Sequence, residues 1–276
     1  MEFFVRRAYR GPVKAVILDW AGTSVDYGCC APAEVFIKVF ANHGVTISTA
    51  QARAPMGLMK RDHIRQITQM APVAEQWQSV LGRPPSEADV AQMYAEFIPL
   101  QLAILAGYAD PIPGAVEFVN ELHERGIKVG STTGYNREMM LLLAAEAARR
   151  GYAPDEWVCA TDVPAGRPYP WMMYANAVKL EAYPPESVVK IGDTLPDIEE
   201  GLNAGAWTVG VALTGNEIGL TEAQVEALPR GELAPRLEHV RQRLAGAGAH
   251  AVVDGVWDCL EVIEDFGEEL RRGEKP

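Results

Sequence analysis

Short runs of β-branched and other apolar residues alternate with segments of helical periodicity along most of this chain. The first run, Val13–Leu18, stops abruptly at Asp19. Four further runs follow, at Ile127–Gly130, Val188–Ile191, Thr208–Val211 and Ala251–Val253. The segments with helical periodicity after the first hundred residues are Gly114–Arg125, Asn136–Arg150, Pro170–Leu180, Pro196–Ala204 and Gly255–Phe266. Alternating strands and helices predict an α/β fold with a Rossmann-like parallel sheet at its core.

The region from Gly28 to Tyr108 breaks this alternation, because helical patterns follow one another there without a strand between them. They are Pro32–Asn42, Lys60–Met70, Val73–Leu81 and Ser86–Leu105. We therefore expect two domains, a core of residues 1–27 and 108–276 and an inserted all-helical cap of residues 28–107. Such a cap would lie over the carboxyl ends of the strands and exclude water from a site there.

Composition limits the functions that this chain can have. The formal net charge of −12 argues against a nucleic-acid partner, since phosphate backbones are bound by clustered Lys and Arg. The sequence contains no apolar run of about 18 or more residues, which a membrane-spanning helix would need. We therefore expect no membrane partner. Met1–Arg10 lacks the apolar core of a signal peptide, and the four cysteines lack metal-ligand spacing. These features predict a cytoplasmic protein with reduced thiols. The acidic segment after Glu261 is expected to form a solvated last helix.

Asp19 opens the sequence Asp-Trp-Ala-Gly-Thr directly after the first apolar run. In open parallel sheets, ligands bind outside the carboxyl ends of the strands, which is where Asp19 would lie. A carboxylate at that place can bind Mg²⁺ through one oxygen and attack phosphorus with the other. Taken alone, an Asp at a strand end is more often a turn or helix-cap residue than a nucleophile.

Asp193 and Asp197 follow another β-branched run, in the sequence Gly-Asp-Thr-Leu-Pro-Asp. Two carboxylates on a loop and the first helical turn can complete an oxygen shell for Mg²⁺, directly or through water. The alternative is helix capping by Asp193, with Asp197 stabilising the helix N-terminus.

Ser131–Gly134 ends a third run, where Thr133 and successive backbone N–H groups could hold phosphoryl oxygens. Arg167 precedes another helix and could contact a phosphoryl group with two N–H groups at once. A plain turn and a solvated arginine are the alternatives for these two segments.

The order of these motifs resembles the haloacid dehalogenase superfamily over almost the whole chain. The resemblance implies a parallel sheet core of that type, with Asp19 as a covalent nucleophile and Mg²⁺ held by Asp19, Ala21, Asp193 and Asp197. Phosphatases of the superfamily carry a second Asp two residues after the nucleophile, whereas this chain has Ala21, whose carbonyl oxygen could still bind the metal. A general acid for a leaving alcohol is therefore missing.

The segment Pro55–His63 resembles the cap motif of the phosphonoacetaldehyde hydrolase (phosphonatase) family. That resemblance implies that Lys60 forms a Schiff base with an aldehyde substrate, so that carbon leaves phosphorus as an enamine and no acid at position 21 is needed. It implies hydrolysis of phosphonoacetaldehyde to acetaldehyde and phosphate, in degradation of 2-aminoethylphosphonate, with His63 as proton shuttle. Arg61 and His63 are expected to help lower the Lys60 pKa.

The same resemblance implies substrate contacts by several further residues, although packing alone would also explain some of them. They are Cys29, Met56, Gly57, Gly134 and Tyr135. It implies a homodimer through the cap, which the apolar stripe Tyr94–Leu105 permits. The alternatives are a capped sugar-phosphate phosphatase or mutase, which would use an Asp at position 21, and a non-catalytic protein that binds a phosphate ligand.

Overall fold

The structure is a computed structural model that describes residues 8–276. It contains one six-stranded parallel sheet, which confirms the predicted fold class. Its strands are β1 (Ala15–Leu18), β2 (Lys128–Thr133), β3 (Glu156–Cys159), β4 (Val188–Gly192), β5 (Trp207–Val211) and β6 (Ala251–Val253), in the order β3-β2-β1-β4-β5-β6. The chain builds outward from β1 on one side and then on the other. This reversal of strand order creates a crevice at the carboxyl end of β1, where Asp19 lies.

Helices occupy both the insertion and the connections between strands. They are α1 (Cys30–Asn42), α2 (Thr49–Arg53), α3 (Lys60–Gln69), α4 (Ala71–Leu81), α5 (Glu87–Leu105), α6 (Ala115–Glu124), α7 (Arg137–Arg149), α8 (Trp171–Lys179), α9 (Leu195–Ala204), α10 (Glu222–Ala227), α11 (Arg230–Gly246) and α12 (Cys259–Arg272). The first five lie between β1 and β2 with no strand among them, as the helical patterns of that region predict. The first seven residues of the expected core segment 1–27 lie outside the described residues.

The helices of the insertion pack on one another through aromatic and aliphatic side chains. Phe36 of α1 stacks on Phe97 of α5, with ring centroids 4.6 Å apart. The segment Glu87–Tyr108 is long and apolar enough to cross a membrane by length and composition alone. Its Val90, Met93 and Phe97 are fully buried, because α5 packs against α1 and α3. We therefore interpret α5 as a helix of the protein interior.

The sequence patterns did not predict one strand and three helices, and they predicted the wrong degree of burial for a further helix. β3 is a four-residue edge strand whose polar first residue hides the pattern. The missed helices are α2, α10 and α11. The prediction of a solvated last helix was wrong, because one face of α12 is buried and Phe266 stacks on Trp207 with centroids 4.6 Å apart. Its apolar residues recur at helical spacing, a signal that the acidic composition obscured.

Candidate active site

One small cavity brings together most of the residues predicted for the site. It lies between the carboxyl ends of the strands and the helical insertion and measures about 20 Å³. Its lining consists of Asp19, Ala21, Cys29, Met56, Gly57, Lys60, Thr133, Gly134, Tyr135, Arg167 and Thr194. Of the residues predicted for the site, only His63, Asp193 and Asp197 do not line it. Thr194 is the one lining residue that the sequence reading did not select.

Asp19 lies one residue beyond β1 and is 6% exposed. Its Oδ1 accepts a hydrogen bond of 2.6 Å from Arg167, while Oδ2 has no hydrogen-bond partner among residues 8–276. Burial and the nearby Asp197 raise the pKa of Asp19, whereas the cations Arg167 and Lys190 act in the opposite direction. The carboxylate is thus held by one oxygen and presents the other to the cavity.

Lys60 is the first residue of α3, and its amine is enclosed rather than solvated. The residue is 5% exposed, and its Nζ has no hydrogen-bond or ion-pair partner in the described chain. It lies 4.8 Å from the ring centroid of Tyr135 and 5.8 Å from that of Phe36. Burial lowers the pKa of Lys60, which increases the fraction of the amine that is neutral at a given pH.

Neither Arg61 nor His63, the two neighbours expected to help lower the Lys60 pKa, is among the main causes of its shift. Arg61 lies on the exposed side of α3, with its guanidinium 3.7 Å from Glu87. The neighbouring cation that lowers the Lys60 pKa is Arg167, whereas the carboxylates of Asp19 and Asp26 act against it. Desolvation is the largest cause, so the fold itself produces most of the effect.

His63 lies one helical turn after Lys60 and is fully buried beside the cavity. Its Nε2 is 2.7 Å from the backbone oxygen of Ala52, and its ring stacks on Phe36 at 3.8 Å. Because a carbonyl can only accept, Nε2 carries the proton and Nδ1 is left as an acceptor, with no partner in the described structure. Burial and the nearby Lys60 hold the pKa of His63 well below its usual range. A proton-shuttle role for His63 stays a prediction.

Oxygen atoms of Asp19, Asp193 and Asp197 lie within 4.8 Å of one another. Asp193 accepts hydrogen bonds from Thr23 Oγ1 at 3.1 Å and from the backbone of Asn216 at 2.7 Å, but no cation among residues 8–276 pairs with it. Burial, with Asp19 and Asp197 nearby, raises the pKa of Asp193 well above its usual range. A buried carboxylate without a cation beside it fits a ligand of a divalent metal ion.

Asp197 differs from Asp193, because its oxygens are already engaged. Oδ2 accepts a 2.5 Å hydrogen bond from Thr194, and Oδ1 lies 2.8 Å from Lys190 Nζ and 3.0 Å from Arg167. Burial alone would raise the pKa of Asp197, but these two cations outweigh it and hold the pKa below its usual value. The contacts of Asp197 suit a residue that orients its neighbours around a metal ion more than a direct ligand.

Arg167 is anchored by a buried network that the sequence reading missed. Its Nε donates to Glu200 at 2.9 Å, and its NH2 donates to Asp19 and to Thr132. Lys190 donates to Thr132 at 2.9 Å and lies 3.4 Å from Glu200. Lys190 lies in the otherwise apolar strand β4. A charged residue in a buried strand needs a charged partner, and this was the sequence signal that could have predicted the network.

The remaining lining residues come from two loops that approach each other closely. A Cβ at Gly134 would lie 2.3 Å from the backbone oxygen of Leu58, and one at Gly57 would lie 2.3 Å from Thr194 Oγ1. These two glycines therefore let the insertion reach the core at van der Waals distance. Burial raises the pKa of Tyr135 and of Cys29 well above their usual ranges, so both remain neutral.

A much larger cavity lies elsewhere in the described structure. It measures about 680 Å³ and is found at the amino ends of β1 and β2, lined by residues such as Lys14, Arg125 and Ile127. None of the predicted site residues borders it. The chemistry-bearing side chains converge in the smaller cavity, which is why we assign the candidate site there.

Comparison with known proteins agrees with this geometry. A family model described as haloacid dehalogenase-like hydrolase matches residues 13–205, and a HAD-hydrolase-like model matches residues 164–256. The chain belongs to the haloacid dehalogenase-like hydrolases. Members of this family generally use a divalent metal, and the acidic cluster of this hydrolase fits one.

Similar curated proteins cover nine-tenths or more of this haloacid dehalogenase-like hydrolase. A phosphonoacetaldehyde hydrolase of Nitratidesulfovibrio vulgaris is 51% identical over 100% of this chain and 99% of its own. One from Bacillus cereus is 52% identical, over 91% and 96%. A crystal structure of a phosphonoacetaldehyde hydrolase-like protein from Oleispira antarctica has a TM-score of 0.97, with 43% identity and complete coverage of both chains.

Proposed function

We propose that this chain hydrolyses the carbon–phosphorus bond of phosphonoacetaldehyde to acetaldehyde and phosphate. The observation that carries this proposal is the cavity that holds an unpartnered buried amine, Lys60, together with a carboxylate oxygen of Asp19. Full-length similarity to proteins named phosphonoacetaldehyde hydrolase supports it. We also propose that the reaction is a step in the degradation of 2-aminoethylphosphonate and that it takes place in the cytoplasm.

The amine of Lys60 would solve the chemical difficulty of the reaction. Direct cleavage would expel a carbanion, which is a very poor leaving group. When the neutral amine condenses with the aldehyde and loses water, the resulting protonated imine can accept the electron pair of the breaking carbon–phosphorus bond and become an enamine. Burial that lowers the Lys60 pKa increases the fraction of amine able to start this sequence.

Asp19 would receive the phosphoryl group as the carbon departs. Its Oδ2 forms the new bond to phosphorus, while the hydrogen bond from Arg167 to Oδ1 fixes the orientation of the carboxylate. Arg167 and Thr133 also border the cavity and can stabilise charge on the phosphoryl oxygens. Water then hydrolyses the aspartyl-phosphate to phosphate. Protonation of the enamine carbon and hydrolysis of the imine release acetaldehyde and return Lys60.

The metal ion is proposed to be Mg²⁺. Asp19 and Asp193 would supply carboxylate oxygens and Ala21 its backbone carbonyl, which accepts no hydrogen bond within residues 8–276. Asp197 would act through Thr194, Lys190 and Arg167 rather than by direct contact. Bound there, Mg²⁺ would supply positive charge beside the phosphoryl group.

Residues 28–107 are proposed to act as a mobile cap on the core of residues 1–27 and 108–276. Cap residues Met56, Gly57 and Lys60 meet core residues Asp19 and Gly134 in one cavity. We also propose a homodimer through the cap. The alternative of a sugar-phosphate phosphatase or mutase is less well supported, because Ala21 cannot protonate an alcohol and such a reaction leaves Lys60 without a use.

Borohydride trapping tests the proposal most directly. Incubation with phosphonoacetaldehyde or acetaldehyde and sodium borohydride should leave a reduced adduct on Lys60, located by mass spectrometry of the digested protein. Lys60→Arg should lower carbon–phosphorus cleavage by at least about a thousandfold, because a guanidinium does not form the imine.

Lys38→Arg is the matched control, since Lys38 is an exposed lysine of α1 in the same cap. It should keep both the adduct and the activity. Full turnover with no adduct on the Lys60 peptide would contradict the imine mechanism, and normal activity of Lys60→Arg would contradict the proposed function.

A further inference from the structure

Arg53, the last residue of α2, joins the cap to the core and to the connection between them. Its NH1 donates to the backbone oxygen of Gly28 at 2.7 Å, in the connection from β1 to α1. The same nitrogen donates to the side-chain oxygen of Asn216 at 3.1 Å, and NH2 donates to the backbone oxygen of Gly219 at 3.2 Å. Asn216 and Gly219 belong to the core loop that follows β5. All these acceptors are satisfied together only while cap and core are in contact.

The contact between Arg53 and this core loop is reciprocal and fitted. The side-chain amide of Asn216 donates back to the backbone oxygen of Arg53 at 3.3 Å. Gly219 has φ +64°, and a Cβ there would lie 2.9 Å from the guanidinium carbon. A charged donor makes stronger hydrogen bonds than a neutral one, and the planar fork of arginine can reach separate acceptors at once. The loop is therefore shaped around this guanidinium.

The same loop touches the candidate metal site. The backbone N–H of Asn216 donates to Asp193 Oδ2 at 2.7 Å. Asn216 therefore contacts Arg53 through its side chain and Asp193 through its backbone. A change in the position of this loop would alter its contact with the acidic cluster and its contact with the cap at the same time.

The size of the cavity requires that the cap move. At about 20 Å³ the cavity offers the space of about one water molecule, so a substrate of several heavy atoms cannot enter the closed form. A second cavity of about 300 Å³ lies directly outside it, between cap residues such as Met56 and core residues such as Thr194. Both residues border the two cavities, so separation of cap and core would join them.

We propose that Arg53 and Asn216 form a latch that holds the cap closed over the site. The latch opens to admit substrate and closes to desolvate Lys60 and position Asp193. Arg53 is thus a positioning residue for the reaction, and this role rests on the proposed function. Its effect on cap closure can be measured without any substrate.

Labelling of Cys29 by a thiol reagent reports on closure. Cys29 is 2% exposed and lines the cavity, so it reacts only when the cap opens. Arg53→Ala should increase the labelling rate by about tenfold to a hundredfold, the equilibrium effect of losing hydrogen bonds from a charged donor. Tandem mass spectrometry distinguishes the label on Cys29 from that on Cys30.

A second reporter distinguishes opening of the whole cap from loosening of the structure around Arg53 alone. Hydrogen exchange of the core peptide 131–136 should accelerate in Arg53→Ala, because cap residue Leu58 covers Gly134 there and the Arg53 side chain does not touch this peptide. Arg65→Ala is the matched control, since Arg65 pairs with Glu87 and Asp62 within the cap. It should leave both reporters unchanged.

Asn216→Ala keeps the backbone N–H that Asp193 needs and removes only the latch contact. It should label faster than the unmodified protein, and Arg53→Ala/Asn216→Ala should label more slowly than the product of the two single effects predicts, because the contact between the guanidinium and the Asn216 side chain is already lost in either single variant. Arg53→Lys should recover part of the protection. With phosphonoacetaldehyde, Asn216→Ala should raise KM by about tenfold while kcat changes less than threefold, because saturating substrate restores closure.

Unchanged Cys29 labelling and unchanged exchange of peptide 131–136 in both single variants would overturn the latch. Additive effects of the two substitutions would overturn the coupling between Arg53 and Asn216. If labelling responds as expected but phosphonoacetaldehyde is not cleaved by the unmodified protein, the latch stands and the proposed function fails.

Discussion

Burial affects the two side chains that are proposed to react in opposite ways. For Lys60 it lowers the pKa and favours the neutral amine, which is the form that attacks an aldehyde. For Asp19 it raises the pKa, which alone would disfavour the carboxylate that attacks phosphorus. Arg167 and Lys190 counteract this effect at Asp19. Arg167 lowers the pKa of both groups, so this one cation favours the neutral amine of Lys60 and the anionic carboxylate of Asp19 together.

The lowered Lys60 pKa leads to a pH prediction. Formation of the acetaldehyde adduct on Lys60, trapped by borohydride, should rise with pH to a midpoint below about 10.4, the value for an unperturbed lysine. The unfolded chain binds this proton up to higher pH than the folded chain, so folding should become more favourable as pH rises from the folded-state pKa to about 10.4.

Lys60→Met should abolish that pH-dependent part of the unfolding free energy, measured by urea denaturation at several pH values. Exposed Lys38 serves as the control, since Lys38→Met should leave the pH dependence as it is. A trapping midpoint at or above that of a free lysine would contradict the lowered pKa.

Glu200 is expected to act through Arg167. Glu200→Gln removes the charge that holds Arg167 Nε and should lower activity by about tenfold to a hundredfold, the usual effect of losing a residue that orients a site group. The neighbouring Glu199 is exposed, so Glu199→Gln is the control and should retain full activity in the same steady-state assay. Equal rates in the two variants would contradict this role.

At the scale of elements, the site depends on how closely the cap loop after α2 meets the loop after β2. Leu58 O and Gly134 leave no space for a Cβ, since that atom would lie 2.3 Å from the oxygen. The fold therefore requires glycine at this contact for a reason of space rather than backbone conformation.

Gly134→Ala should hold the cap away from the core. We expect KM to rise at least about tenfold with little loss of folding free energy, because the clash can be relieved by separation of the two surfaces. Gly231→Ala is the control, because a Cβ at Gly231 in α11 meets nothing within 4 Å. Steady-state kinetics and thermal unfolding measure both; unchanged KM in Gly134→Ala would contradict tight closure.

Local sequence patterns predicted most elements but not those whose formation depends on neighbours. β3 is a short edge strand that is stabilised by pairing with β2. α11 is a polar helix with Pro235 in its sequence, and it buries Leu237, Val240 and Leu244 against α9 and the strands beside it. Tertiary packing determined these elements, because their intrinsic propensity and periodicity are weak.

At the scale of the whole molecule, the buried charges around the site do not balance. The carboxylates are Asp19, Asp193, Asp197 and Glu200, and the cations are Arg167 and Lys190, which leaves a formal charge of −2 when all are ionised. One divalent cation would neutralise it. Repulsion among these buried carboxylates lowers the free energy of unfolding, and binding of a divalent metal ion would remove that repulsion.

Added Mg²⁺ should therefore raise the thermal midpoint. At about 100 times its Kd the gain is about 2.7 kcal/mol, or roughly 5–10 °C for a chain of this size. Asp193→Asn should lose this shift, whereas Asp258→Asn, at an exposed aspartate, should keep it. Differential scanning calorimetry with and without EDTA makes the measurement, and an equal shift in both variants would place the metal elsewhere.

The proposed dimer predicts a solution mass near twice the 30.1 kDa of the chain. Ile98→Glu places a charge at the partly buried Ile98 of α5 and should shift the protein towards monomer in light scattering. Val178→Glu, on the 79% exposed Val178 of α8, should not. A monomeric unmodified protein would contradict the proposal.

The sequence by itself determined the parallel α/β core and the helical insertion, because strand ends and periodicity are local properties, and the order of its motifs pointed to the residues that are proposed to react. It could not show that Lys60 lacks a polar partner, that Lys190 and Glu200 anchor Arg167, or that Arg53 reaches the core loop at Asn216. These depend on burial and on contacts between residues far apart in the chain. Only the tertiary structure removes water from such groups and decides which charges meet.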